Sequence, residues 1–88
     1  MAKFGVEFKP SADRAMQRLP IEVQKRIVLA AEGLGGDPDP HGAKQLSGMT
    51  GVWRIRVGRY RVVYEVHHDR KVVMVLRVAH RKDVYRDL

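Results

Sequence analysis

The residues best suited to chemistry stand in one stretch, VWRIRVGRYRVVYEV, from Val52 to Val66. Arg54, Arg56, Arg59 and Arg61 are set there among strong β-formers. A guanidinium is a planar fork that matches phosphate oxygens and keeps its charge when half-buried. A strand that buries one face has no structural need of four cations on the other. Shortly downstream come His80, Arg81 and Tyr85. They add a group that exchanges protons near neutral pH, another phosphate ligand, and a ring that stacks on a base or donates a proton. Taken singly, each is an ordinary surface or anchoring residue.

Spacing brings the arginines together. Gly58-Arg59 separates the runs Val52–Val57 and Tyr60–Val66, and glycine at the first position of a two-residue loop suits a type II′ hairpin turn. The turn then pairs Val57 with Tyr60, Arg56 with Arg61, Ile55 with Val62, Arg54 with Val63, Trp53 with Tyr64 and Val52 with Glu65. Alternation along each strand puts Trp53, Ile55, Val57, Tyr60, Val62 and Tyr64 on one face. Arg54, Arg56, Arg61, Val63 and Glu65 fall on the other, with Glu65 read as a local counter-ion to Arg54. A slip of one residue would mix the two sets. Arg56 opposite Arg61 is a like-charge pair, destabilising by up to about 1 kcal/mol. Three cations on one sheet face form a place where phosphate charge is stabilised; the plainer reading is a solvated basic face.

The composition agrees with a polyanionic partner. The chain has 88 residues with 17 Lys plus Arg against 10 Asp plus Glu, a net charge of +7. Eleven of the cations are arginine. Such a length allows a single domain, residues 1–88, with a modest core. There is no cysteine, so neither a disulfide framework nor a cysteine metal site is open to it. His67 and His68 beside Asp69 read as a solvated turn rather than a metal site. No apolar run is long enough to span a membrane, and the charged N-terminus does not resemble a signal peptide, so the protein reads as cytoplasmic.

The elements that must position the arginines are legible in outline. Residues 3–8 read as a short first strand. Ser11 is an N-cap candidate, and Ala12, Ala15, Met16 and Leu19 then mark one helical face. Pro20 closes that helix, and a second runs from about Ile21 to Gly33 with Val23, Ile27, Ala30, Ala31 and Leu34 as its stripe. Residues 35–51 form a long connection rich in Gly, Pro and Asp. It has no phosphate-loop pattern; Leu46 and Met49 tack it to the core, His41 is solvated, and Lys44 is a solvated lysine or a weak phosphate ligand. Lys71–Ala79, nearly all apolar, reads as an inner strand. The order β-α-α-β-β-β implies an α+β domain: a short strand and an αα-hairpin packed on a small antiparallel sheet.

These residues together resemble the RelE/ParE toxin superfamily, most closely its RelE branch. The resemblance rests on PSADRAMQRLP after the first strand, L-x-G at Leu46–Gly48, the WRIRVGRYRVVYEV hairpin and the ending VLRVAHRKDVYR. It implies a ribosome-dependent endoribonuclease that cleaves mRNA in the A site by attack of the ribose 2′-hydroxyl on the adjacent phosphate, with neither metal nor cofactor. It places Arg54 and Arg56 as phosphate ligands and Arg61, Arg81 and Tyr85 in the catalytic set. Where the best-known members carry lysines on the first hairpin strand, this chain has arginines, which are poor proton carriers. His80 is then a second choice for moving the proton. The resemblance also implies a RelB-like antitoxin that folds onto the basic face, the ribosome and mRNA as partners, and operator DNA reached through the antitoxin complex. Two alternatives share the same charge: a ParE-like poison of DNA gyrase without nuclease activity, and a non-catalytic nucleic-acid-binding module.

Overall fold

The computed structural model describes residues 3–39, 42–46, 48 and 50–83. Its elements are β1 (Gly5–Phe8), α1 (Pro10–Gln17), α2 (Ile21–Gly36), β2 (Lys44–Gln45), β3 (Val52–Val57), β4 (Tyr60–His67) and β5 (Val72–His80). The strands form one sheet in the order β1-β5-β4-β3-β2. It is antiparallel from β2 through β5, as the hairpin pattern requires. β1 departs from the expected antiparallel sheet and lies parallel to β5, with Gly5 opposite Val72 and Phe8 opposite Val75. The α+β class holds, and the sheet is mixed.

Both helices serve one face of the sheet. Ala12 and Met16 of α1 and Ile27 and Ala31 of α2 bury against Val57, Val62, Val75 and Val78. Leu34 adds a second group with Tyr64 and Val73. The stripes read from the helical spacing are therefore core, except for Ala15, which lines a surface groove. Ser11 does not cap α1: Lys9 holds that position, and Pro10 enters the first turn, where its missing N–H costs nothing. α2 runs three residues beyond the expected Gly33. The extension carries Gly35 against β1, where the Phe4 amide donates to the Gly35 carbonyl at 2.7 Å. A Cβ at Gly35 would lie 2.7 Å from the Phe4 oxygen, so only glycine fits without a shift. The connection after α2 is tied down by Tyr64, whose hydroxyl donates to the Pro38 carbonyl at 3.0 Å. Met49 and His41 lie outside the described residues.

Among the described residues no helix lies over the opposite face, which is called the open face below. β5 contains one extra residue there. Tyr64 pairs with Val75, but Val63 pairs with Arg77, which leaves Leu76 as a β-bulge.

Candidate nucleic-acid interface

The hairpin register is the one its turn dictates: Val57 faces Tyr60, Arg56 faces Arg61, and Val52 faces Glu65. Gly58 opens the turn at a φ of +60°, a conformation that costs glycine nothing. Arg54, Arg56 and Arg61 thus share the open face. β2 adds to them, because Lys44 pairs with Arg54. So does β5, because the bulge places Arg77 opposite Val63. The open face is then a grid. One row across the strands reads Lys44, Arg54, Val63, Arg77, and the next, nearer the hairpin turn, reads Arg56, Arg61, Ala79. Neighbours in a row sit about 4.8 Å apart and the rows about 6.7 Å apart along the strands.

Arg54, Arg61 and Arg77 are half-buried, and Arg56 and Lys44 are exposed. Their aliphatic stems flank an apolar strip in which Leu46, Val52 and Val63 are buried and Leu76 and Ala79 pack beside them. Leu46 anchors the connection as expected, but on this face. Among the described residues the one ion pair is Glu65 with His67, at 2.9 Å. Arg54 therefore lacks the counter-ion expected in Glu65, whose carboxylate turns along its own strand to the histidine. Arg61 is held at the hairpin end, where its Nη1 donates to the carbonyls of Tyr60 at 2.9 Å and Gly58 at 3.2 Å.

The bulge also decides the fate of the tail residues. Read with unbroken alternation, β5 would turn Arg77 into the core and set His80 beside the arginines. One extra residue reverses both. His80 pairs with Tyr60 and packs edge-on against its ring, 5.6 Å between centroids, on the helix side of the sheet. This geometry sets His80, the second choice for moving the proton, on the face away from Arg54, Arg56 and Arg61. Its Nδ1 instead accepts the Lys82 amide at 3.2 Å, which makes it a brace for the turn after β5. The same turn is fixed by the Asp83 amide to the His80 carbonyl and by Arg77 Nη2 to the Asp83 carbonyl. Arg81 rides on that turn, exposed, with its amide on the Arg59 carbonyl at 2.8 Å. Arg81 thus begins beside the hairpin turn, next to the grid. Tyr85 lies outside the described residues. Arg77 is the residue the sequence reading passed over; its signal was a lone cation inside an otherwise apolar strand.

The described residues form a small α+β domain in which the sheet face away from the helices carries a grid of cations. The chain matches the family model described as the ParE toxin of the type II toxin–antitoxin system over residues 6–85. It is 32% identical to the toxin RelG of Mycobacterium tuberculosis, over 94% of this chain and 97% of that protein. Its fold is similar to the toxin in the RelBE2 toxin–antitoxin complex of M. tuberculosis, with a TM-score of 0.80, 29% identity, and coverage of 89% of this chain and 98% of that one. The archaeal RelE–RelB complex of Pyrococcus horikoshii is similar too, with a TM-score of 0.79, 28% identity, and coverage of 92% and 97%. The chain belongs to the RelE/ParE family of type II toxins.

Proposed function

We propose that this toxin is a metal-independent, ribosome-dependent endoribonuclease that cuts mRNA in the A site. The observation that carries the reading is the grid of Arg54, Arg56 and Arg61 on an uncovered face, where Arg54 and Arg56 lack an ion-pair partner among the described residues. Arg56 stands opposite Arg61 across the hairpin, so the pair is placed to meet one phosphate. In the proposed mechanism the ribose 2′-hydroxyl attacks the adjacent phosphorus. Arg54, Arg56 and Arg61 stabilise the charge that builds on the phosphoryl oxygens. Arg81 assists at the leaving oxygen, and Tyr85 orients a base. Guanidiniums do not shed a proton, so another group takes it. Lys44, beside Arg54 in the row Lys44, Arg54, Val63, Arg77, adds a further cation for the phosphate.

A RelB-like antitoxin is the expected partner, since the similar solved structures are RelE–RelB complexes. An acidic segment of it would cover the open face, and the complex would reach operator DNA through the antitoxin. The cytoplasm is the proposed setting, with no helix among the described residues long and apolar enough to cross a membrane. Primer extension on mRNA bound to 70S ribosomes tests the nuclease. Wild type should cut, and Arg61→Ala and Arg81→Ala should each lose about 100-fold or more. Absence of cutting by wild type, or equal cutting by the variants, rejects it. Filamentation and a DNA-damage response on induction, without early translation arrest, would point to gyrase instead.

A further inference from the structure

Glu65 is out of place on a face that attracts phosphate. It stands on the open face one row behind Arg54 and Arg77, opposite Val52 on one side and Met74 on the other. A carboxylate there repels the RNA backbone, so its presence calls for a ligand group that is not a phosphate. Beside it is a groove of about 550 Å³ between α1 and the open side of β4 and β5. Ala15 of α1 and Leu76 of the bulge give it apolar walls, with Lys9, Ser11, Glu65 and Arg77 as its polar lining. The volume is that of a small-molecule pocket, enough for one nucleotide. The groove is continuous with the grid: Ala79, also on its wall, pairs with Arg61, and Arg77 shares a row with Arg54.

We infer that this groove is a base-reading subsite for a nucleotide flanking the scissile phosphate, with Glu65 as the residue that reads it. The inference rests on the nuclease reading for its substrate. A base slides its faces between Ala15 and Leu76. One Glu65 oxygen is held by His67 Nε2, which fixes the carboxylate in place, and the carboxylate presents acceptors only. Its complement is an exocyclic amine, as on adenine, cytosine and guanine. Uracil's one donor on that edge, N3–H, is flanked by two carbonyls that the carboxylate repels, so uracil is disfavoured. Arg77 and Lys9 supply donors for ring acceptors or for the next phosphate. The bulge at Leu76 is what makes this possible, because it supplies both the apolar wall and the outward Arg77.

The test is binding of uncleavable 2′-O-methyl RNA pentamers by fluorescence anisotropy: all uracil, or uracil with a central adenine, cytosine or guanine. Wild type should prefer each amine-bearing pentamer over all-uracil by about tenfold. Glu65→Gln adds a donor that accepts uracil and should bring the four within about twofold. Ala15→Phe fills the groove and should drop the amine-bearing pentamers to the all-uracil level, with thermal melting confirming that both variants fold. Equal affinities for wild type, or a preference that survives Glu65→Gln, overturns the subsite. So does an unchanged preference accompanied by weaker antitoxin binding, which would give the groove to a protein segment. Ribosomal cleavage without base preference in the pentamers would sink the subsite and keep the nuclease; preference without cleavage would do the reverse.

Discussion

Tyr64→Phe separates two contributions of one buried hydroxyl. Tyr64 has no exposed surface, and its hydroxyl donates to the Pro38 carbonyl at 3.0 Å. Near neutral pH the variant loses that hydrogen bond, worth about 1 kcal/mol, because the half-exposed Pro38 carbonyl can take water in its place. For a domain of this size the melting temperature should fall by about 4–8 °C. Alkaline pH reverses the order. Burial, with Asp39 and then Asp37 adding repulsion, pushes the Tyr64 pKa from 10.0 up to about 12. The folded state keeps its proton where the unfolded chain has lost it, so the stabilisation is complete below about pH 10 and disappears as pH rises to about 12. Two units correspond to about 2–3 kcal/mol. The wild type should therefore lose its advantage between about pH 10 and 11 and be the weaker protein above that. Urea unfolding followed by Trp53 fluorescence across this range measures it. A gap between the two proteins that stays constant with pH would refute the assignment of a buried, neutral phenol.

Three further outcomes follow from particular contacts. Gly35→Ala should destabilise by more than 1 kcal/mol, on the order of a strained backbone position, since its methyl meets the Phe4 oxygen at 2.7 Å; Gly33→Ala, with nothing within 4 Å, should stabilise by about 0.5–1 kcal/mol. Chemical denaturation of the pair checks both signs. Ile27→Ala empties a fully buried site between helix and sheet and should cost about 2–5 kcal/mol by the same measurement. Arg56→Ala, a change at an exposed position, should leave melting near wild type but make single-stranded RNA binding less salt-sensitive, lowering the log–log slope by about 0.7. An unchanged slope would remove Arg56 from the phosphate contacts.

The parts that were legible in the sequence are those with local rules. The hairpin announced itself because Gly58 sits where φ must be positive, and because a polar-apolar alternation on both strands admits one register. The helix stripes were legible for the same reason: period fixes face. β5 was legible as a strand but not in its phase. A nearly continuous apolar run carries no alternation to betray an inserted residue, so the bulge at Leu76 was hidden, and with it the exchange of His80 for Arg77 on the open face. β2 was missed because two residues in a glycine-rich connection carry too little pattern, yet it is what sets Lys44 beside Arg54. β1 was located, but its direction beside β5 is a matter of which distant strand it meets, which no local signal encodes.

That last pairing has a consequence for how the toxin is made. Of the strands described, β1 is the first to leave the ribosome, and its sheet neighbour, β5, is the last. Contacts so distant along the chain cannot form until β5 has been made. Until then α1 and α2 have no completed sheet to cover, and Arg77 and Arg81 have not yet been placed beside Arg54 and Arg61. The grid of charge is thus completed only when β5 docks between β1 and β4 and brings Arg77. A chain broken off early carries β1 and the helices without the face they support. Topology alone holds back the finished sheet until its most distant pair of strands has met.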